Sequence, residues 1–456
     1  MTNLFGVSVL MRMRVRANDK LIIAFLVLLA ILPSYFRILN IQVKFAITCI
    51  FFMILLVSYR KEMAKLRYTR INSFLFPMLI WAAAIVTLCL IHGGWYHAVY
   101  NAVLWLGIAP FLFRKIDSKD RFLGIIDALI SVSFILALLG IAEEVLHWNA
   151  FFLLNGGEEV ISSTSRMRLG ILRVMSFTAH PITYCVFIIF ILSLIAYRLS
   201  IPDTKQRRFL IITYVLLFVN AILTVSRSAI LALLLSQVLL LLFSGFKRFI
   251  INGLKIILAV VIIGGIIYAL SEGFRNIVNM SFLMFMAIFS DDYVSVLSSL
   301  NFGGTNYSGI GQRTDLYEWV WEEVKNHKLI GFGPTSTIAR MFTTEQGYSR
   351  LKDTIEVQYL RTLYRYGLIG MISEICLYVS IVFTSAKKRI KATASWEGKL
   401  SFSSTVMAVM ISYLVVCFAV MQNEEVYILF CFVELFSAYL FYNKYNNERE
   451  NDIQRK

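Results

Sequence analysis

The chain has 456 residues, of which 58% are hydrophobic and only 16% are charged, and its mean hydropathy is +0.71. Soluble globular proteins carry about 25% charged residues, so these values exclude an ordinary soluble protein and indicate a polytopic membrane protein. The formal net charge of +16 is explained by basic loops lying against anionic lipid, so no nucleic-acid partner is expected.

Long apolar segments follow one another along the chain. A membrane-spanning helix needs about 20 largely apolar residues, and about twelve segments qualify. We therefore predict an all-α polytopic membrane protein with about 12 transmembrane helices. The predicted spans are 20–38, 41–58, 73–91, 95–113, 122–142, 180–199, 209–224, 228–243, 249–270, 366–384, 401–421 and 426–442.

Lysine and arginine are dense in alternate connections between these spans and nearly absent from the others. Cytoplasmic loops of membrane proteins carry the excess of positive charge, so both termini are predicted to be cytoplasmic. The chain then divides into a basic N-terminus (1–20), helices one to five (20–142), an outer loop (143–179), helices six to nine (180–270), a large outer loop with short helices (271–365), helices ten to twelve (366–442) and a cytoplasmic tail (443–456).

Two details bear on this scheme. The apolar run 277–289 is short for a span, and crossing there would place the basic loop around Lys387 outside. We therefore interpret it as an interfacial or re-entrant segment. All six cysteines fall within predicted spans, which does not favour a disulfide framework or a metal site.

The large outer loop contains a predicted amphipathic helix over 314–327. Its apolar residues recur at helical spacing and are expected to lie against the membrane; they are Leu316, Trp319, Val320 and Val324. The helix should end at Gly331-Phe-Gly-Pro334, since proline cannot continue it. Arg313 stands just before its start, beside amide groups that attract anions, and is either a ligand of an anionic substrate or a surface ion-pair partner.

A second helix is predicted to begin near Asp353. Glu356 follows three positions later, so it is either part of a capping box or a catalytic base. Arg361 and Arg365 are four apart and share a helix face, where they are suited to bind a lipid-linked pyrophosphate or to anchor the helix at the interface. Trp319 and Tyr359 are candidate sugar-binding residues.

Two further arginines are expected on the outer side. Arg173 precedes the sixth span, and Arg227 sits in a very short turn between spans seven and eight, where a charge is costly without an anionic partner. His180, beside Pro181 at a helix start, is a second candidate base or a local cap. Ionisable residues inside spans, namely Asp127, Glu374 and Glu434, form either a proton relay or pairs with neighbouring helices.

These features together resemble the Wzy-type polymerases of the O-antigen polymerase and ligase superfamily. The resemblance covers about residues 165–375, while the first 160 residues match only as helical spans. It rests on Arg173…His180-Pro181, on Ser226-Arg-Ser-Ala229, on Arg313…Trp319…Gly331-Phe-Gly-Pro334, and on Gln358-Tyr-Leu-Arg-Thr-Leu-Tyr-Arg-Tyr-Gly-Leu-Ile-Gly370.

The resemblance implies a metal-independent membrane glycosyltransferase without a cofactor. It would join oligosaccharide repeat units carried on undecaprenyl pyrophosphate, outside the bacterial cytoplasmic membrane, for O-antigen, capsule or exopolysaccharide. A chain-length regulator and a flippase of the same pathway are implied partners. Arginines would stabilise the leaving pyrophosphate; they are Arg173, Arg227, Arg313, Arg361 and Arg365. Glu356 is the first candidate for the base and His180 the second.

The chain departs from the family pattern at two positions, and two rival functions are considered beside the polymerase. Ligases of the superfamily have a histidine near the start of the Tyr-Leu motif, whereas this chain has Glu356, which favours a polymerase. The usual His-Pro before Gly331 is here His327-Lys328.

A ligase would move the glycan to another acceptor, and a transporter or flippase would fit the span count. Transporters, however, usually place polar residues at the midplane in symmetric halves.

Overall fold

The computed structural model describes a helical bundle with short hairpins. The described residues are 17–58, 75–116, 118–160, 166–168, 171–202, 204, 206–245, 265, 268, 269, 275, 279, 311–338, 340–343, 349–352, 355, 357–391, 397–419 and 427–440. The helices are α1 Ala17–Ile31, α2 Val43–Ser58, α3 Leu75–Ile91, α4 Trp95–Lys115, α5 Lys119–Leu146, α6 Pro181–Ser200, α7 Arg207–Leu223, α8 Arg227–Phe243, α9 Gly311–Val324, α10 Gln358–Lys391, α11 Phe402–Ala419 and α12 Ile428–Leu440.

The strands of the described residues form three isolated antiparallel hairpins. They pair Arg37–Ile38 with Ile41–Gln42, Met167–Arg168 with Ile171–Leu172, and Arg340–Thr343 with Ser349–Lys352. The expected all-α class is therefore confirmed for the main body of the described chain. The hairpins were not predicted, because each has only two or four residues per strand, too few for a period-two pattern to stand out.

By length and composition, four helices of the described residues could cross a membrane: α4, α5, α6 and residues Gln358–Lys388 of α10. The shorter apolar helices are Lys20–Ile31, Val43–Ser58, Leu75–Ile91, Ser228–Phe243, Phe402–Phe418 and Ile428–Leu440. The count of 12 spans and their orientation stay predictions. The segments 249–270 and 277–289 lie outside the described residues, apart from Gly265, Tyr268, Ala269 and Asn279.

Helix α6 lies at the centre of the bundle. Nearly every residue from Pro181 to Leu194 is buried, and α6 packs against α5, α7, α8 and α11. A helix that is apolar on all sides is expected in such a central position. In the last turn of α6, the Arg198 guanidinium donates two hydrogen bonds to the carboxylate of Asp127 on α5, at 2.8 and 3.1 Å. Asp127 thus pairs with a neighbouring helix, as one of the two sequence interpretations expected.

The loop between α5 and α6 is held by a buried ion pair that the sequence analysis did not identify. Arg166 is 1% exposed and donates from Nη1 to the Glu143 carboxylate. Glu143 also accepts from the Ser176 backbone amide at 2.8 Å and from Asn149 Nδ2 at 3.1 Å. A buried carboxylate with several donors is satisfied electrostatically, so Glu143 fixes both ends of this loop.

Helix α9 begins at Gly311 and ends at Val324, close to the predicted limits. Its four apolar residues are all buried, in a cluster with Ile338, Val357, Leu360, Leu363 and Tyr364. The apolar face is thus covered by protein, and the expectation that it lies against the membrane is wrong. The reason is that α10 and the segment before it offer a complementary apolar surface.

Candidate active site

The site is built around a sharp break in α10. Gly367 has φ 62° and ψ −164°, which no α-helix contains, and such a positive φ is accessible to glycine. Thr362 Oγ1 nonetheless donates to Glu374 Oε2 at 2.6 Å, across twelve residues. A straight helix would separate these positions by about 18 Å along its axis. The two halves of α10, Gln358–Tyr366 and Leu368–Lys391, therefore fold toward each other.

The Gly331-Phe-Gly-Pro segment closes this break. The Phe332 and Gly333 amides donate to the carbonyls of Tyr364 and Arg365, at 2.9 and 2.8 Å. The amides of Leu368 and Ile369 donate to the carbonyls of Lys328 and Leu329, at 2.7 and 3.2 Å. Helix ends leave backbone groups unpaired, and here one loop satisfies the end of the first half and the start of the second. The two motifs singled out in the sequence thus form one structural unit.

Close backbone packing explains why both positions are glycine. A Cβ on Gly331 would lie 2.6 Å from the Gly367 nitrogen, and a Cβ on Gly367 would lie 2.3 Å from the Leu329 carbonyl oxygen. The loop also touches the end of α3, where His92 Nε2 lies 3.0 Å from the Ile330 carbonyl oxygen. Three parts of the chain therefore meet at this point and fix the direction of the first half of α10.

A cavity opens between α3, α4, both halves of α10, α11 and α12. Its void, including the open mouth, measures about 970 Å³. Its lining includes six aromatic residues, here called the aromatic wall: Trp81, Tyr100, Trp105, Tyr366, Tyr413 and Phe430. The lining also includes polar side chains: Asn101, Gln358, Arg361, Thr362, Arg365 and Glu374. A pocket with apolar walls and a few convergent polar groups is the usual form of a ligand site.

The π-helical segment Ala102–Ile108 of α4 contributes to the aromatic wall. Its Trp105 lies edge-on to Trp81, with ring centroids 5.0 Å apart, and to Phe430 at 4.9 Å. Wider turns of this type occur frequently at functional sites. No function was predicted for α4 from the sequence. Its polar His97 and Asn101, four apart within a span and both lining the cavity, were the signal that could have identified it.

Glu374 is the acidic residue among the described lining residues of the cavity. It is 4% exposed. Its Oε1 accepts from Tyr378 at 2.7 Å and from Gln358 Nε2 at 3.1 Å, while Oε2 accepts from Thr362. Glu374 therefore pairs with neutral donors from both halves of α10. Glu434 differs: it is fully buried, and among the described residues neither carboxylate oxygen has a hydrogen-bond partner.

Arg173 lies in the segment before α6 and His180 caps the start of α6, and the described lining of the cavity includes neither. Arg173 donates from Nε to the Thr224 carbonyl at 3.0 Å and from Nη2 to Ser226 Oγ at 2.9 Å. Arg173 therefore binds the short turn between α7 and α8. Arg227 follows this turn as the first residue of α8. The structure brings Arg173 to the backbone of the Arg227 turn; the Arg227 side chain is outside the described part.

His180 is the N-cap of α6. Its Nδ1 accepts from the Ile182 amide at 3.2 Å, the interaction that an N-cap side chain provides. Burial, followed by the nearby charge of Arg173, lowers the pKa of the His180 imidazole to about 4. A base this weak is poorly matched to proton abstraction near neutral pH, so the geometry favours the capping interpretation of His180.

The remaining candidates are placed as follows. Trp319 is 3% exposed within the α9 cluster, and Tyr359 is buried, donating to the Leu414 carbonyl at 3.4 Å. Neither is among the described lining residues of the cavity, and both rings are buried in protein. Their sugar-binding role stays a prediction. Arg313 lies in the first turn of α9, its side chain outside the described part.

The predicted helix start near Asp353 is wrong, since α10 begins at Gln358. Asp353 and Glu356 themselves lie outside the described residues. Ile355 and Val357 are buried in the α9 cluster in a non-helical conformation. Packing of these apolar side chains therefore overrides the local capping signal.

Residues 212–373 match the family model described as O-antigen ligase. This match supports membership of the O-antigen polymerase and ligase superfamily. The matched segment runs from α7 through the large loop into the second half of α10, so it includes Arg361, Arg365 and both glycines of the break. No curated protein sequence is significantly similar to the chain. Members of this superfamily are glycosyltransferase-type enzymes.

Proposed function

We propose that this protein is a polysaccharide polymerase of the bacterial cytoplasmic membrane. It joins oligosaccharide repeat units carried on undecaprenyl pyrophosphate, at the outer face, without a metal or a cofactor. The product is an O-antigen, a capsule or an exopolysaccharide. The observation that carries this proposal is the pair Arg361 and Arg365, which face one aromatic-walled cavity from the first half of α10, within the segment that matches the family model.

The chemistry of the cavity fits a lipid-linked diphosphate donor. Guanidinium groups bind phosphate oxygens bidentately and cannot lose their charge, so they suit a leaving group on which negative charge accumulates. Aromatic side chains suit the apolar faces of sugar rings and the first part of a lipid chain. In this proposal, Arg361 and Arg365 bind the diphosphate, while the aromatic wall orients the sugar that is transferred.

The polymerase is favoured over the ligase by Glu356, which stands where ligases of the superfamily have a histidine. The ligase remains the second candidate, because the matching family model is described as O-antigen ligase. Both functions use the same donor and differ in the acceptor. A polymerase accepts another lipid-linked repeat unit, whereas a ligase accepts a different molecule.

The test is to reconstitute the purified protein in liposomes with undecaprenyl-pyrophosphate-linked repeat units as its substrate, with no other protein present. Products are separated on a gel. A ladder of increasing length supports the polymerase. Transfer that occurs only when a second, chemically different acceptor is added supports the ligase. Repeat units that cross the bilayer with no new glycosidic bond contradict both and support a transporter.

A further inference from the structure

We infer that Glu374 is the catalytic residue that takes the proton from the attacking hydroxyl group. This inference rests on the proposed glycosyl transfer at the cavity and adds to it the group that activates the acceptor. The roles proposed for Arg361 and Arg365 are unchanged, since both act on the leaving group.

The hydrogen bonds of Glu374 leave one acceptor position open on Oε2. A carboxylate offers about four lone-pair sites, two on each oxygen. In the described part of the chain, Oε1 receives two donors, Tyr378 and Gln358, whereas Oε2 receives only Thr362. The carboxylate is therefore held in a fixed orientation, and one acceptor site on Oε2 has no donor among the described residues.

The position of Glu374 relative to the arginines suits an attack on the donor sugar. Arg361 and Arg365 come from the first half of α10, and Glu374 comes from the second half, yet all three line one cavity. The break at Gly367 therefore brings an acid and two cations, from the two halves of α10, into a single site. A straight α10 would separate Thr362 from Glu374 by about 18 Å and would abolish this arrangement.

The step balances without another reactant. The acceptor hydroxyl oxygen forms a bond to the anomeric carbon while the bond from that carbon to the diphosphate oxygen breaks. The electron pair of the broken bond leaves with the diphosphate, next to the guanidinium groups. The hydroxyl proton passes to Oε2 of Glu374 and is afterwards released to water.

The sequence named Glu356 first and His180 second as the base. Glu356 lies outside the described residues, and His180 is less well placed than Glu374. His180 uses Nδ1 as a helix cap and does not belong to the described lining of the cavity. Glu434 is fully buried and is not among the lining residues either. Glu374 combines an acidic group, a fixed orientation and access to the cavity.

Glu374→Gln is the matched test variant. The hydroxyl groups of Thr362 and Tyr378 and the amide of Gln358 can each accept as well as donate, so the network can reverse its hydrogen bonds around a glutamine. The initial rate of transfer is measured with saturating lipid-linked repeat units in liposomes, together with binding of the same lipid to the protein. General base catalysis contributes about 100-fold to 10,000-fold, so we expect kcat to fall by at least about 100-fold with nearly unchanged lipid affinity.

The control variant is Glu434→Gln, which makes the same change in a buried carboxylate that is not among the described lining residues of the cavity. It should retain most of the wild-type kcat, whereas a purely structural effect of replacing a buried acid would lower activity in both variants in proportion to their loss of thermal stability. A folded Glu374→Gln protein with kcat within about threefold of wild type would overturn the inference, as would a loss confined to lipid binding. If wild-type protein transfers no glycan at all, the proposed function fails first.

Discussion

Gly331 and Gly367 pack backbone against backbone, so that a Cβ on Gly331 would lie only 2.6 Å from the Gly367 nitrogen. This contact joins the large loop to the break in α10. The contact between Gly331 and Gly367 fixes the orientation of the first half of α10, which carries Arg361 and Arg365. The geometry of the proposed site therefore depends on two residues that have no side chain.

Gly331→Ala is expected to destabilise the protein and to abolish transfer, because the new methyl group overlaps main-chain atoms that cannot move separately. The control is Gly156→Ala. Gly156 has a similar positive φ, 71° against 65°, but open space around its Cβ position. Both variants bear the cost of a left-handed residue, about 1–2 kcal/mol. Only Gly331→Ala should show a much larger loss of thermal stability; equal losses would refute close packing as the cause.

Arg361→Gln and Arg365→Gln should each lower kcat/KM by about 100-fold or more, the usual effect of removing one group that stabilises developing charge. Lysine at either position should restore activity only in part, since it lacks the bidentate geometry. Arg208→Gln is the control, because Arg208 is exposed on α7. Initial rates of transfer in liposomes measure the effect. Activity within about twofold of wild type in both variants would remove these arginines from the site.

Arg227→Ala and Arg313→Ala are expected to abolish polymer formation while the protein remains in the membrane. The reason is the cost of a charge in the short turn between α7 and α8, and of one at the first turn of α9, without an anionic partner. Product gels and membrane immunoblots measure the two quantities separately. Normal chain length in both variants would show that these arginines do not act on the substrate.

Trp319 and Trp321 provide a matched pair on one helix. Trp319 is 3% exposed and Trp321 is 48% exposed. Replacing a buried tryptophan with alanine costs about 3–5 kcal/mol, so Trp319→Ala should strongly lower thermal stability, whereas Trp321→Ala should change it little. The reverse order would show that Trp319 is not part of the loop core. A stable Trp319→Ala protein with altered sugar preference would restore its predicted sugar-binding role.

His180 predicts a pH dependence of stability. Its folded-state pKa of about 4 lies below the ordinary value of 6.5, so between these values the unfolded state binds a proton that the folded state excludes. Its contribution to stability is therefore complete above about pH 6.5 and is lost as the pH falls toward about pH 4.

His180→Asn keeps a side chain suited to an N-cap and removes the titrating group. Thermal unfolding in detergent, compared between about pH 7 and pH 4.5, should show a smaller decrease for the variant than for the wild type. Parallel pH profiles of the two proteins would contradict a lowered His180 pKa.

The sequence predicted most of the described helices, but it singled out only some of the residues that line the cavity. Apolar segments such as α6 are recognisable because a helix in apolar surroundings must be apolar on every side. The pairing of Arg361 with Arg365 followed from their spacing of four residues. By contrast, the fold of α10 back on itself depends on contacts with residues far away in the chain, which periodicity does not record.

The same limit explains the errors at Trp319 and at the start of α10. An amphipathic helix next to a membrane and one packed on another helix have the same pattern, so the partner of the apolar face of α9 could not be read from spacing. The capping signal at Asp353 was local, whereas the burial of Ile355 and Val357 is set by tertiary packing. Glu374 was recognised as a costly intramembrane acid, but its three donors were not.

The stoichiometry of lipid release distinguishes glycosyl transfer from transport. Purified protein in liposomes is supplied with undecaprenyl-pyrophosphate-linked repeat units, and free undecaprenyl pyrophosphate and new glycosidic bonds are quantified together. We expect one undecaprenyl pyrophosphate for each new bond, with both lost in Arg365→Gln. New bonds without released undecaprenyl pyrophosphate, or intact lipid-linked units moved across the bilayer, would refute glycosyl transfer from the lipid-linked diphosphate.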